Sequence, residues 1–293
     1  MHKALGHNIR KHVLFYLLLI PALALFAIFR LHPLVKGIVL SFQEFDLFAD
    51  NEWIGLDNYQ KLFNNPMFLL SLKTTVIFTV ISVPLMIVVS LFLALLLNVK
   101  GLRFGNFFRA AIFMPYVTSG VVVSIVWKWF MNESYGLLNT TLRSIGLPPV
   151  GWLTDPTTAL FSIILVLVWM GCGFYMLIFL SNLQLIPPEL YEAAAIDGAS
   201  GLQQFGYITL SQLKPAFVVS LILCTLNSFR TFTLVYTMTG GGPLGKTELL
   251  SYHIYKLAFE KFEFGRASAG MVVMLLIVVG VLVAQLRVTE AGT

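Results

Sequence analysis

Charge is what this chain has least of. Asp, Glu, Lys and Arg make up 11% of its 293 residues against 58% hydrophobic ones, and mean hydropathy is +0.85. With several apolar runs of membrane-spanning length, that scarcity excludes a soluble fold. Cysteine is nearly absent as well. Cys172 and Cys224 both fall within apolar runs, so a disulfide framework and a thiolate metal site are excluded and two small buried side chains remain. There is no catalytic triad, no cluster of metal ligands and no acid–base pair, so no enzyme class and no cofactor is called for. The 14 carboxylates all stand outside the apolar runs. A transporter that carries protons on membrane-embedded acids would need at least one inside.

What the chain does have is six apolar runs, at about residues 13–30, 72–98, 107–131, 159–183, 215–238 and 268–286. At about 1.5 Å per residue each crosses roughly 30 Å of hydrocarbon. Length and lack of strict alternation make them helices rather than barrel strands. The expected architecture is all-α and integral to the membrane, with six transmembrane helices in a single domain over 1–293. Lys3, Arg10 and Lys11 precede the first run and Ala22-Leu23-Ala24 mimics a cleavage site, but the apolar stretch continues to Phe29, longer than a signal core needs, so a retained helix is expected.

Six crossings put both termini on one side. The raw Lys/Arg count does not favour a cytoplasmic location for them, but density does. Lys3, Arg10 and Lys11 cluster at the start and Lys100, Arg103 and Arg109 lie between the second and third runs, next to helix ends where the positive-inside rule has most force. The expected outer loops are 32–71, 132–158 and 239–267. Trp127 and Trp129, flanking Lys128, suit the headgroup belt, and Pro84 and Pro115 predict helix kinks.

One polar island interrupts the apolar chain: Tyr191-Glu-Ala-Ala-Ala-Ile-Asp-Gly-Ala-Ser-Gly201. Pro187-Pro188 suits a helix start, Glu189 to Asp197 reads as a short helix and Gly198 can end it. Ser200 with Gln203 three residues on is a capping-box arrangement that starts a second helix. The expectation is a helix-turn-helix outside the bilayer at about 187–212. Its alanines would allow close approach of another protein, against the plainer reading of a solvated loop.

Four further features carry signals, Arg230 the strongest of them. Arg230 stands inside the fifth run, with Asn227 and Thr231 on the same helical face and Ser228 beside it. A charge there must face protein, water or ligand, so it is either a polar clamp between helices, snorkelling outward, or part of a translocation path. Gly171 and Gly173 in the fourth run permit close helix approach or local unwinding. Gly240 to Thr247 matches the phosphate-loop pattern G-x-x-x-x-G-K-[ST]. No buried strand delivers it and the topology puts it outside the cell, so a tight glycine turn is the expectation, with Lys246 holding no nucleotide. His253 reads as a surface histidine.

The stretch EAAAIDGASGLQQFGYITLSQLKP resembles the EAA loop of ABC importer permeases: E-A-A at Glu192, Ala193 and Ala194, then a glycine, Gly198, four residues after the second alanine. GLDNYQKLF from Gly55, FFRAAIFMPY from Phe107, NSFRTFTLVYTMTGGGP from Asn227 and AFEKFEFGRASA before the last helix are similar to the carbohydrate-uptake branch, so the resemblance covers about Gly55 to the end of the sixth helix. It implies a type I importer permease fold with a cytoplasmic EAA coupling segment, in a bacterial-type inner membrane. The implied function is ATP-driven import of a sugar, either an oligosaccharide or a polyol glycoside. The alternatives are an anionic cargo such as glycerol phosphate or an acidic sugar, and an ion-coupled secondary transporter. It implies these partners: a second permease subunit, two ATPases that hold ATP and magnesium, an extracytoplasmic solute-binding protein, the sugar-type substrate and the lipid bilayer, with no nucleic acid. By the same resemblance Glu192, Ala193, Ala194, Asp197 and Gly198 would sit in an ATPase groove. Met170, Gly171, Phe174, Asn227, Ser228 and Thr231 would line the substrate path, with Arg230 adjacent. The chain departs from the family pattern at Ser211, where proline is usual, at Ser228, where relatives often have asparagine, and at Arg230, more basic than a neutral sugar requires.

Overall fold

The computed structural model describes residues 13–45, 52–99 and 101–291; the cations Lys3, Arg10, Lys11 and Lys100 invoked for orientation lie outside them. The described residues are helical almost throughout, with one two-residue antiparallel ladder. They pack as two units, the described residues of 1–64 with 256–273, and those of 65–255 with 274–293.

In the first unit α1 (Val13–Phe26) passes through a π-helical turn at Ala27–Leu31 into α2 (His32–Leu40). The first run therefore does not stop at Arg30: the apolar helix continues over Leu17–Leu40. Pro33 has no N–H to offer the Phe29 carbonyl, and the wide turn absorbs that missing bond instead of ending the helix. Strands β1 (Gln43–Glu44) and β2 (Glu52–Trp53) follow, then α3 (Asp57–Phe63). Asn58 is buried because its amide donates to the carbonyls of Ser41 at 3.1 Å and Gln43 at 2.8 Å. Gly265 lets its own backbone lie against this corner: a Cβ there would sit 2.4 Å from the Gln43 oxygen.

The second unit is built on α4 (Pro66–Leu97), whose Asn65 cap accepts from the Met67 N–H at 2.9 Å. The expected start at 72 is thus six residues late: Pro66 at the first helical position is a start signal, not a loop residue. After α4 come α5 (Gly105–Val117), α6 (Gly120–Phe130), α7 (Leu137–Ser144) and α8 (Ala159–Leu183). Helix α8 is the buried centre, with Ile163, Ile164, Val166, Met176 and Phe179 all at 0% exposure. Small residues set its neighbours' distance. A Cβ on Gly173 would lie 2.2 Å from the Ile112 oxygen of α5, so backbone meets backbone there.

The third run is not one span as expected from 107–131. It breaks between α5 and α6, whose axes differ by 97°. Thr118 and Ser119 are extended and the Thr118 hydroxyl donates to the Met114 carbonyl at 3.0 Å. Side chains that bond locally, followed by Gly120, end a helix that apolar flanks would have continued.

Beyond α8 stand α9 (Pro188–Ile196), α10 (Gly201–Gln204), a π-helical turn at Phe205–Thr209, α11 (Leu210–Gln212) and α12 (Lys214–Phe229), the last bent 63° from what precedes it. The fifth run also breaks. Helix α12 ends at Phe229 and a separate α13 (Thr233–Met238) follows, so Arg230 caps a helix end and does not sit inside a span as expected. The Thr231 hydroxyl donates to the Asn227 carbonyl at 3.1 Å and the Thr231 carbonyl accepts from Ser251 at 2.6 Å, which diverts the backbone from the helical ladder. Helix α14 (Leu250–Tyr255), a π-helical turn at Lys256–Glu260 and α15 (Phe264–Ala291) complete the chain, so the last helix extends past both expected ends. Among the described residues four helices are long and apolar enough to cross a membrane, or six if each bent pair is one span.

Candidate functional site

Both breaks open onto one cavity of about 290 Å³ in the second unit. From α8 come Met170 and Gly171; from the last turn of α12, Asn227 and Ser228; from the break itself, Arg230 and Thr231. Gly120, the first residue of α6, and Tyr116 of α5 line it as well. Six of the seven residues expected on a substrate path thus share one space. The seventh, Phe174, stands behind it, its ring stacked on Tyr116 at 4.7 Å and 14°.

The polar groups of this cavity are held in place. Asn227 donates to the Tyr175 hydroxyl at 3.1 Å, and the Ser228 and Thr79 hydroxyls meet at 2.5 Å across α12 and α4. Ser228 is buried at 1% exposure, whereas Asn227 and Arg230 are exposed. Arg230 is the one charged residue in the lining. Its position after the last turn of α12 favours a cation, because the unpaired carbonyls there carry partial negative charge. Cys224 lies 4% exposed on the same wall, so the packing role expected of it and its place beside the cavity coincide. Tyr116, Gly120 and Phe232 were not legible as lining residues. Their placement follows from the two breaks, and the run Thr118-Ser119-Gly120 was the available signal.

At the other feature, α9 ends with Gly198 at φ +80°, the Ala199 N–H reaching the Ala194 carbonyl at 2.9 Å and the Gly198 N–H the Ala195 carbonyl at 3.1 Å. This is a Schellman stop, open to glycine without Cβ strain. The Ser200 and Gln203 capping box forms in both directions. Glu192, Ala193, Asp197 and Gly198 are exposed and Ala194 is half-buried. Beside them Ile196, Leu202 and Tyr207 are 87%, 85% and 81% exposed. Tyr191 ties the segment down through its hydroxyl, 2.9 Å from that of Thr209.

The glycine run from Gly240 is a tight turn, with Gly240 and Gly241 at positive φ and a cis Gly242–Pro243 bond. Thr247 is fully buried, its hydroxyl bonded to the Gly242 carbonyl at 2.6 Å and to Thr239 at 2.8 Å. Helices α13 and α14 flank the turn, and no strand delivers it. His253 corrects the sequence reading: it is 2% exposed on α14, its Nδ1 2.6 Å from a Glu248 oxygen and its ring against Phe68. A histidine in a short helix looks like a surface residue until a carboxylate five positions back is folded beneath it.

Several apolar helices, two of them broken at a shared cavity that Asn227, Ser228, Arg230 and Thr231 line, with an exposed capped segment at one end, define a membrane translocation subunit. The model of the family described as binding-protein-dependent transport system inner membrane component matches residues 13–288. The probable ABC transporter permease protein YurN of Bacillus subtilis (strain 168) is 37% identical over 281 residues, 94% of this chain and 96% of that one. The lactose transport system permease protein LacF of Rhizobium radiobacter is 37% identical over 275 residues, 90% of each chain. Among solved structures, a bacterial ABC transporter involved in the import of the acidic polysaccharide alginate aligns with TM-score 0.87 and 25% identity, over 98% of this chain and 99% of that one. The chain belongs to the binding-protein-dependent transport system inner membrane component family. It is a multi-pass membrane permease subunit and not the ATPase of such a system, and this membership sets aside the ion-coupled secondary transporter.

Proposed function

We propose that this chain is a transmembrane permease subunit of an ATP-driven, binding-protein-dependent importer of an anionic carbohydrate or polyol derivative. The observation that carries the reading is Arg230, the one charge lining the cavity. An exposed guanidinium in one cavity with the Asn227 amide and the Tyr116 ring is suited to a carboxylate or phosphate on a hydroxylated ring. Similarity to the alginate importer supports an acidic cargo. A neutral sugar is the second reading, supported by the uncharged remainder of the lining and by similarity to the lactose permease.

In this reading the whole chain is one permease domain that crosses the inner membrane six times, with α5 and α6 together making one crossing and α12 with α13 another, and with both termini and the 187–212 segment in the cytoplasm. Glu192, Ala193, Ala194, Asp197 and Gly198 form an EAA-type coupling surface, and the exposed Ile196, Leu202 and Tyr207 supply the apolar area a docked ATPase would cover. A second permease subunit, two ATPases holding ATP and magnesium, and an external solute-binding protein complete the assembly. Met170, Gly171, Phe174, Asn227, Ser228, Arg230 and Thr231 form the cargo path.

The test is ATPase activity of the reconstituted complex, stimulated by binding protein loaded with neutral or with anionic glycosides. Anionic cargo should be transported and Arg230→Gln should reduce its uptake by about tenfold, the equivalent of one lost charge-assisted contact. Equal uptake of anionic cargo by wild type and Arg230→Gln, with neutral cargo preferred, would leave the neutral reading standing.

A further inference from the structure

Tyr175 of α8 lines the cavity and directs its hydroxyl at α12. The residue is 2% exposed, so that hydroxyl has to find its partners in protein. It has two, both on α12: the Asn227 amide nitrogen at 3.1 Å and Cys224, about one turn back. A phenol has one proton to give and lone pairs to receive with. With the proton toward the sulfur of Cys224, the oxygen is an acceptor toward Asn227, and the amide is turned so that Nδ2 meets it.

That bond decides which end of the amide is left over. Asn227 is exposed and lines the cavity, and among the described residues no group meets its Oδ1. The neighbouring hydroxyls are already engaged. Ser228 meets Thr79 at 2.5 Å, and Thr231 donates to the Asn227 main-chain carbonyl at 3.1 Å. Arg230 can only donate. On this wall the Asn227 side-chain oxygen is therefore the acceptor offered to whatever enters.

We propose that Tyr175 is a positioning residue for cargo recognition: by holding Nδ2 it fixes Asn227 Oδ1 as an acceptor, and the cargo group read there is a hydroxyl that donates. Arg230 on the same wall takes an anion, so the recognised edge of an acidic cargo carries a hydroxyl close to its acid group. The inference rests on the cavity being the cargo path. The hydroxyl requirement itself holds for neutral and anionic cargo alike, so it stands or falls apart from the charge of the cargo. Without the phenol hydroxyl the amide is free to turn end for end, and the cavity then takes a donor or an acceptor with little preference.

The experiment is binding-protein-stimulated ATPase activity of the reconstituted importer with lactose, D-glucuronate and sn-glycerol 3-phosphate, each beside its monofluoro analogues. In these one hydroxyl becomes C–F, close to it in size but with no proton to give. Wild type should respond about tenfold less to the analogue fluorinated at the hydroxyl that Asn227 reads than to its parent. One binding protein serves every variant, so a change in that ratio belongs to the permease. Tyr175→Phe should bring the ratio toward one while the parent cargo still stimulates. Asn227→Ala should do the same, and the double variant should match Asn227→Ala, because Tyr175 acts only through the amide. A packing role alone for Tyr175 would lower parent and analogue together, and that unchanged ratio overturns the proposal. So does a wild type that responds equally to every parent and analogue. Stimulation by lactose alone removes the anionic reading and leaves this one to be judged on the fluorinated lactoses. No stimulation by any of the three overturns the cavity as a path for such cargo, and this inference with it.

Discussion

At the scale of single residues, two glycines two positions apart on α8 make a sharp contrast. A Cβ on Gly171 would meet the end of the Met86 side chain at 2.7 Å, whereas one on Gly173 would meet backbone of α5 at 2.2 Å. A methionine end swings aside at low cost, but a helix backbone does not. Gly171→Ala should therefore leave thermal unfolding of the purified complex within a few degrees of wild type. Gly173→Ala should cost about 1–3 kcal/mol or more, the range for overpacking, and lower the yield of folded protein. Equal effects would mean that α5 can slide along α8. The buried Glu248–His253 contact is the other residue that decides something. Glu248→Ala removes the acceptor of a buried ring nitrogen and should destabilise by roughly 3 kcal/mol, seen as a lower melting temperature with insertion intact.

At the scale of elements, the short helices were more legible than the long ones. The capping box at Ser200 and Gln203 and the stop at Gly198 stand in the sequence because their chemistry is local: a hydroxyl, an amide and a residue free to take positive φ, all within a few positions. The breaks at Thr118–Ser119 and Arg230–Phe232 were hidden because hydropathy, the signal used to find spans, runs through both. What ends α5 and α12 is hydroxyls bonding back to carbonyls, and for Thr231 a partner, Ser251, 20 residues away. The residues of the cavity could be named by resemblance, but Tyr116 and Gly120 could not, since only the 97° turn brings them in. Two substitutions separate local from global effects in the coupling segment. Ser200→Ala should weaken the start of α10 by about 1 kcal/mol, visible as faster amide exchange at Gln203. Gly198→Val forces a β-branched residue to φ +80° and should loosen the turn enough to lower ATPase co-purification while the chain stays in the membrane.

At the scale of the whole molecule, the few charges outside the membrane have to convey work done elsewhere, because this chain is not the ATPase. Glu192 is exposed on α9, and Tyr191 beside it is bonded to Thr209, in the turn that leads toward α12 and so toward the cavity. A push on α9 is thereby connected by one hydrogen bond and a short stretch of chain to the helix that carries Asn227 and Arg230. If that connection is the coupling route, Glu192→Ala should leave membrane insertion and subunit assembly measurable while cutting binding-protein-stimulated uptake by about tenfold, the worth of one charged contact at a docking surface. Tyr191→Phe should keep ATPase docking, since the hydroxyl faces Thr209, yet reduce the cargo moved per ATP hydrolysed. Uptake and hydrolysis measured together on reconstituted vesicles separate the two. A Glu192→Ala complex that transports at the wild-type rate would make the segment an ordinary loop, and a Tyr191→Phe complex with unchanged stoichiometry would move the coupling route to another contact.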